Sequence, residues 1–197
     1  KVRAALRDDP VQMYLNDIGT IDLLNVHQEF WLGARLLSTR RIDRLKREHH
    51  ITGRYQSNPV SIYRAMYDDL IVSRQRIRED VKRFELDCPD WLELIAEAQS
   101  LRRTWKLESP SYTRSYLDNG LWGENSEWGS VAPKVFYIFV AFYSFPEEVC
   151  DWLADTLQET GDLPSLETFT RHLPAEDRLQ REIDALWSRY YEAYQAL

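Results

Sequence analysis

Apolar positions recur every three or four residues through most of the chain, the period of an α-helix. Near the amino end Val11, Tyr14, Leu15 and Ile18 form one stripe, with Gln12 and Asn16 on its polar edge. Asp9 is a candidate N-cap, Pro10 suits the first helical position and Gly19 the left-handed stop, so a short helix is predicted over 9–19. Thr20 to Leu24 turns the chain. Asn25 and Gln28 then have the spacing of a capping box for a second helix, whose buried stripe is predicted as Phe30, Gly33, Leu36 and Leu37. Together these segments read as a helix-turn-helix hairpin.

The second helix runs on into Arg40, Arg41, Arg44, Lys46 and Arg47, interleaved with Ile42 and Leu45, and Arg40, Arg44 and Arg47 share one face. That face is a grip on DNA or on an acidic protein, or the solvated side of an amphipathic helix. Gly53 and Asn58-Pro59 break the pattern and mark the internal boundary, giving segments 1–58 and 59–197 that are expected to pack as one body. Ser61 is the expected cap of a long helix with Ile62, Met66, Leu70, Ser73, Ile77, Val81 and Phe84 inward and Arg74, Arg76, Arg78, Lys82 and Arg83 outward. After Asp87-Cys88-Pro89-Asp90 a further helix carries Trp91, Leu94, Ile95, Ala98, Leu101 and Trp105, expected to pack antiparallel to its predecessor.

Residues 108–130 read as an irregular aromatic loop whose rings pack on the helices, because nearby Asp118, Glu124 and Glu127 repel a nucleic-acid strand. From Val135 to Phe145 the composition fits strand or helix; a buried helix is chosen because Pro133 suits a first turn and no partner strand is evident. Helices from Pro146 to the Gly161 stop, from Leu166 to His172 and from Ala175 onward complete roughly eight, an all-α, multi-helix, bundle-like fold.

Charge changes along the chain. Residues 1–58 hold 10 Lys or Arg against 7 Asp or Glu, and residues 107–197 hold 6 against 16, within a total of 25 against 32. Phosphate is therefore expected to meet the first sixty residues and to be repelled by the carboxy half. Seven tryptophans argue for a packed interior, and two distant cysteines without a paired framework argue for reduced thiols inside a cell. No apolar run spans a bilayer, so a cytoplasmic location without membrane contact is expected. The chain starts at Lys1-Val2 and stops at Leu197 within a helical pattern, as expected of a piece of something longer.

The string Asp9-Pro10-Val11, Met13-Tyr14, Gly19-Thr20 and Leu23-Leu24, followed by Glu29 and Arg35, resembles region 1.2 of the primary sigma factors of bacterial RNA polymerase, the sigma-70 family. The resemblance covers about thirty residues. It implies a transcription initiation factor that joins the RNA polymerase core enzyme and supports promoter recognition and open-complex formation. Its contact would be the discriminator, on the non-template strand of promoter DNA. By position, the contacting edge would be Gln12, Leu15 and Asn16 with Tyr14 beside it, and Arg40, Arg44 and Arg47 add a basic face downstream. Gln12 and Asn16 stand where the family usually has arginines, and Leu15 replaces a methionine; the phosphate attraction there is correspondingly weaker. The resemblance also implies that residues from about 59 onward are the helical insertion called the non-conserved region. The remaining sigma regions, which read the minus-ten and minus-thirty-five elements, would then lie elsewhere in the parent chain.

No Gly-rich phosphate loop, His-Glu-x-x-His helix or nucleophile elbow occurs, and histidines 27, 49, 50 and 172 are scattered. Neither catalysis, a cofactor nor a metal is expected. The competing reading is a helical module that binds another protein without touching DNA.

Overall fold

The computed structural model of the chain describes residues 23–52, 58–118 and 126–197. The helix expected over 9–19 lies outside them. Among the described residues the fold is all-α, with eight helices and no strand: α1 (Val26–Thr52), α2 (Pro59–Arg83), α3 (Trp91–Arg103), α4 (Tyr112–Leu117), α5 (Ser126–Ser144), α6 (Glu147–Thr160), α7 (Leu166–His172) and α8 (Glu176–Ala196).

The expected capping box opens α1. Asn25 Oδ1 accepts from the amides of His27 and Gln28, each at 3.0 Å, and Gln28 Oε1 accepts from the Asn25 amide at 3.0 Å. The buried stripe differs from the expected one. Trp31, Leu32, Ala34, Arg35, Ser38, Thr39, Ile42 and Leu45 face inward, whereas Phe30, Gly33 and Leu36 are half-buried and Leu37 is exposed. The reason is that α1 packs on both α5 and α8. Ser38 and Thr39 enter that seam because each hydroxyl donates to a carbonyl of its own helix, Arg35 O at 2.8 Å and Leu36 O at 3.0 Å.

Asn58, not Ser61, caps α2: its Oδ1 accepts from the Ser61 amide at 2.8 Å, and Pro59 takes the first helical position. Ile62, Met66, Leu70, Ile77 and Val81 are buried as expected, with Tyr63 and Tyr67 widening the stripe. Arg74 is a correction: it is buried, its guanidinium pairs with Asp162 after α6, and it lies 5.3 Å from the Trp91 ring centroid. Burying that cation is tolerated because it is paired and lies over an aromatic face. Helix α3, capped by Asp90, ends before Trp105. It is not the antiparallel neighbour of α2, since both helices pack against α5 instead.

Helix α5 is the apolar centre. Val131, Val135, Ile138, Phe139, Phe142 and Tyr143 are buried, each such side chain contributing about 1.5–3 kcal/mol. It begins earlier than the sequence implied, so Pro133 lies inside it rather than in its first turn. The carbonyl that Pro133 leaves without its helical partner is that of Gly129, an exposed residue. The aromatic stretch before α5 contains the six-residue helix α4, capped by Ser111, where an irregular loop was expected. Trp128 packs inward as expected and its indole donates to Leu117 O at 3.0 Å. Gly161, at φ 75°, ends α6 in the left-handed conformation. Tyr67 stacks on Phe169 at 3.7 Å, fixing α7 on α2.

Candidate nucleic-acid interface

The charged face of α1 and the flank of α5 form a groove of about 350 Å³. Arg40, Arg44 and Arg47 rim it, all exposed, as the three- and four-residue spacing requires. Arg44 Nε lies 3.4 Å from Glu48 Oε1, an exposed one-turn pair of the kind that contributes only about 0.3–0.5 kcal/mol, so its charge remains available to a ligand. Among the described residues Arg40 and Arg47 make no ion pair. Pro133, Phe136, Tyr137 and Val140 of α5 supply an apolar wall opposite the exposed Leu37.

Arg41 and Tyr137 belong to this site and were not singled out from the sequence. The Arg41 guanidinium lies 4.1 Å from the Tyr137 ring centroid and pairs with Asp69 of α2, to which Tyr137 Oη also donates at 3.2 Å. Burial pushes the Tyr137 phenol well above its ordinary range, against the pull of Arg41. It therefore stays a neutral donor with a usable ring face. The local signal for Arg41 was its place beside Arg40. Tyr137 comes from a distant helix and carried no such signal.

Three cations over an apolar and aromatic wall attract phosphates and offer surface to unpaired bases. Gln12, Tyr14, Leu15 and Asn16, the expected contact edge, lie outside the described residues. Among the described residues no group of three His, Cys, Asp or Glu is placed to hold a metal ion, and no helix is long and apolar enough to cross a membrane.

Residues 9–36 match the family model of sigma-70 factor, region 1.2. The matched span takes in the capped start of α1 through Leu36 and ends before Arg40, so the basic rim follows it along the same helix. The match supports a sigma-70 factor and, with it, a role in transcription initiation. No curated protein and no solved structure matches the chain.

Proposed function

We propose that the chain is a fragment of a primary sigma-70 factor, in which residues 1–58 carry region 1.2 and residues 59–197 form a non-conserved-region insertion packed on it. Region 1.2 contacts the promoter discriminator on the non-template strand, through Gln12, Tyr14, Leu15 and Asn16, and supports open-complex formation by RNA polymerase in the cytoplasm. Arg40, Arg44 and Arg47 hold the backbone of the same strand. The protein acts by binding, with the polymerase core and the remaining sigma regions as partners, and without catalysis or a cofactor. The observation that carries the reading is the region 1.2 match running, without a break in the helix, into an exposed arginine face beside an apolar groove.

The test is fluorescence anisotropy with single-stranded oligonucleotides of varied discriminator sequence, across a salt series. Each phosphate neutralised on a single strand adds about 0.7 to the slope of log affinity against log salt. Replacing Arg40, Arg44 and Arg47 together by Ala is expected to lower the slope by about 2 and to weaken all sequences alike. Tyr14→Ala and Leu15→Ala are expected to reduce the preference among sequences at unchanged slope. Equal binding by the triple variant and the parent chain overturns the reading.

A second reading, a helical module that binds protein and not DNA, is favoured by one observation: Tyr191 and Tyr194 of α8 are exposed beside Trp187 and Tyr190. It predicts retention of RNA polymerase core, or of another protein, with no measurable oligonucleotide affinity.

A further inference from the structure

Between α1, α3, α8 and the start of α6 lies a second cavity, of about 470 Å³, walled almost entirely by charged side chains. Four of its arginines are matched. Arg35 pairs with Glu192 at 3.2 Å and donates to Leu101 O at 2.9 Å; Arg102 pairs with Glu182 and donates to Tyr143 O at 2.8 Å. Arg103 pairs with Glu147, and Arg178 with Glu148. Arg189 is the fifth, and among the described residues no carboxylate pairs with it. Its Nη1 is buried without a hydrogen-bond partner, as is Nε of the fully buried Arg35. Burial first, and then the neighbouring charges of Arg102 and Arg35, push the Arg189 guanidinium below its ordinary value, against the pull of Tyr143 and of Glu182, whose carboxylate is engaged by Arg102. An arginine half withdrawn from water among like charges is unfavourable unless something negative joins it.

We infer that this cavity is a binding site for a phosphoryl group, held by the guanidinium of Arg189 with Arg35 and Arg102 lining the same cavity. Planar guanidinium forks match the oxygens of phosphate two at a time, and the matched glutamates leave one positive charge for the ligand to neutralise. The volume exceeds that of a single phosphate, so a phosphorylated small molecule such as a nucleoside diphosphate fits as well as the free anion. The cavity shares no residue with the Arg40, Arg44 and Arg47 rim, so this proposal stands or falls apart from the promoter reading.

The test is thermal unfolding and calorimetric titration of the whole 197-residue chain with inorganic phosphate, pyrophosphate and ADP, against sodium chloride at equal ionic strength. A saturable rise in Tm beyond that in chloride is expected; ADP exceeding pyrophosphate assigns the ligand to nucleotides, and the reverse assigns it to free phosphates. Arg189→Gln is expected to unfold at or above the parent temperature, relieved of like-charge crowding, and to bind at least about tenfold more weakly. Arg189→Lys, which keeps the charge and loses the fork, should fall between. The proposal is overturned if phosphate, pyrophosphate and ADP act no differently from chloride on the parent chain, or if Arg189→Gln binds as tightly as the parent.

Discussion

Glu97 of α3 gathers three parts of the fold, and its removal tests whether the start of α1 is held by side-chain hydrogen bonds. One carboxylate oxygen accepts from the Trp31 indole at 2.6 Å and from the Ser111 hydroxyl. The other accepts from the Thr113 amide at 2.7 Å and its hydroxyl at 2.5 Å. Trp31, Ser111 and Thr113 are all buried. In Glu97→Ala the two hydroxyls can rotate to other acceptors, but the indole and amide N–H groups cannot. Two stranded buried donors at about 1–3 kcal/mol each give a loss of about 2–6 kcal/mol. For a chain of this size that lowers Tm by about 4–24 °C. Glu97→Gln keeps the shape but turns an NH2 toward one of the donors, so about half the loss is expected. Urea unfolding followed by tryptophan fluorescence measures both, with exposed Glu159→Ala as the control. A Glu97→Ala midpoint within 1 kcal/mol of the parent, or a Gln variant indistinguishable from it, would refute the argument.

Two other outcomes are expected. The Arg74 hydrogen bond holds the Asp162 carboxyl below its ordinary range, so its contribution is present above the unfolded value of about 3.9 and is lost as pH falls through the lower folded value. Asp162→Asn should therefore cost about 1 kcal/mol at pH 7, small because the carboxylate is largely exposed, and should flatten the acid limb of stability against pH; an unchanged acid limb contradicts the pairing. Cys150 is buried, donates to Phe142 O at 3.3 Å and has its thiol pushed up by burial, whereas Cys88 is exposed. A disulfide reagent at pH 8 should titrate one thiol in the folded chain and both in urea, with Cys88→Ser abolishing the native reaction.

Elements with local punctuation were legible in the sequence. The Asn25 and Gln28 box, the Gly161 stop, helix α7 and the Leu179, Ile183 and Leu186 stripe of α8 each rest on residues within a few positions of one another. Features that depend on distant partners were not. Arg74 looks like a surface residue until Asp162, 88 positions away, is brought beside it. The inward face of α1 is hidden because Arg35, Ser38 and Thr39 occupy it, and their polarity is satisfied only by the fold. Pro133 misled for a related reason: its effect on a helix depends on whether the orphaned carbonyl meets water. Helix α4 is too short for a period to show. At the candidate interface the arginine face followed from spacing alone, whereas the wall opposite came from α5.

Because α5 serves as the packing partner of α1, α2 and α3 alike, the order of synthesis constrains the order of assembly. Helices α1, α2 and α3 keep most of their apolar faces uncovered until α5 has emerged, although Glu97 can already tie α3 to α1 and α4. The seam between α1 and α8 closes later still, when translation has passed Ala196. Helix α1, which continues the segment that carries the promoter reading, therefore completes its packing only after α8 has been made, a long-range closure of the kind that slows folding.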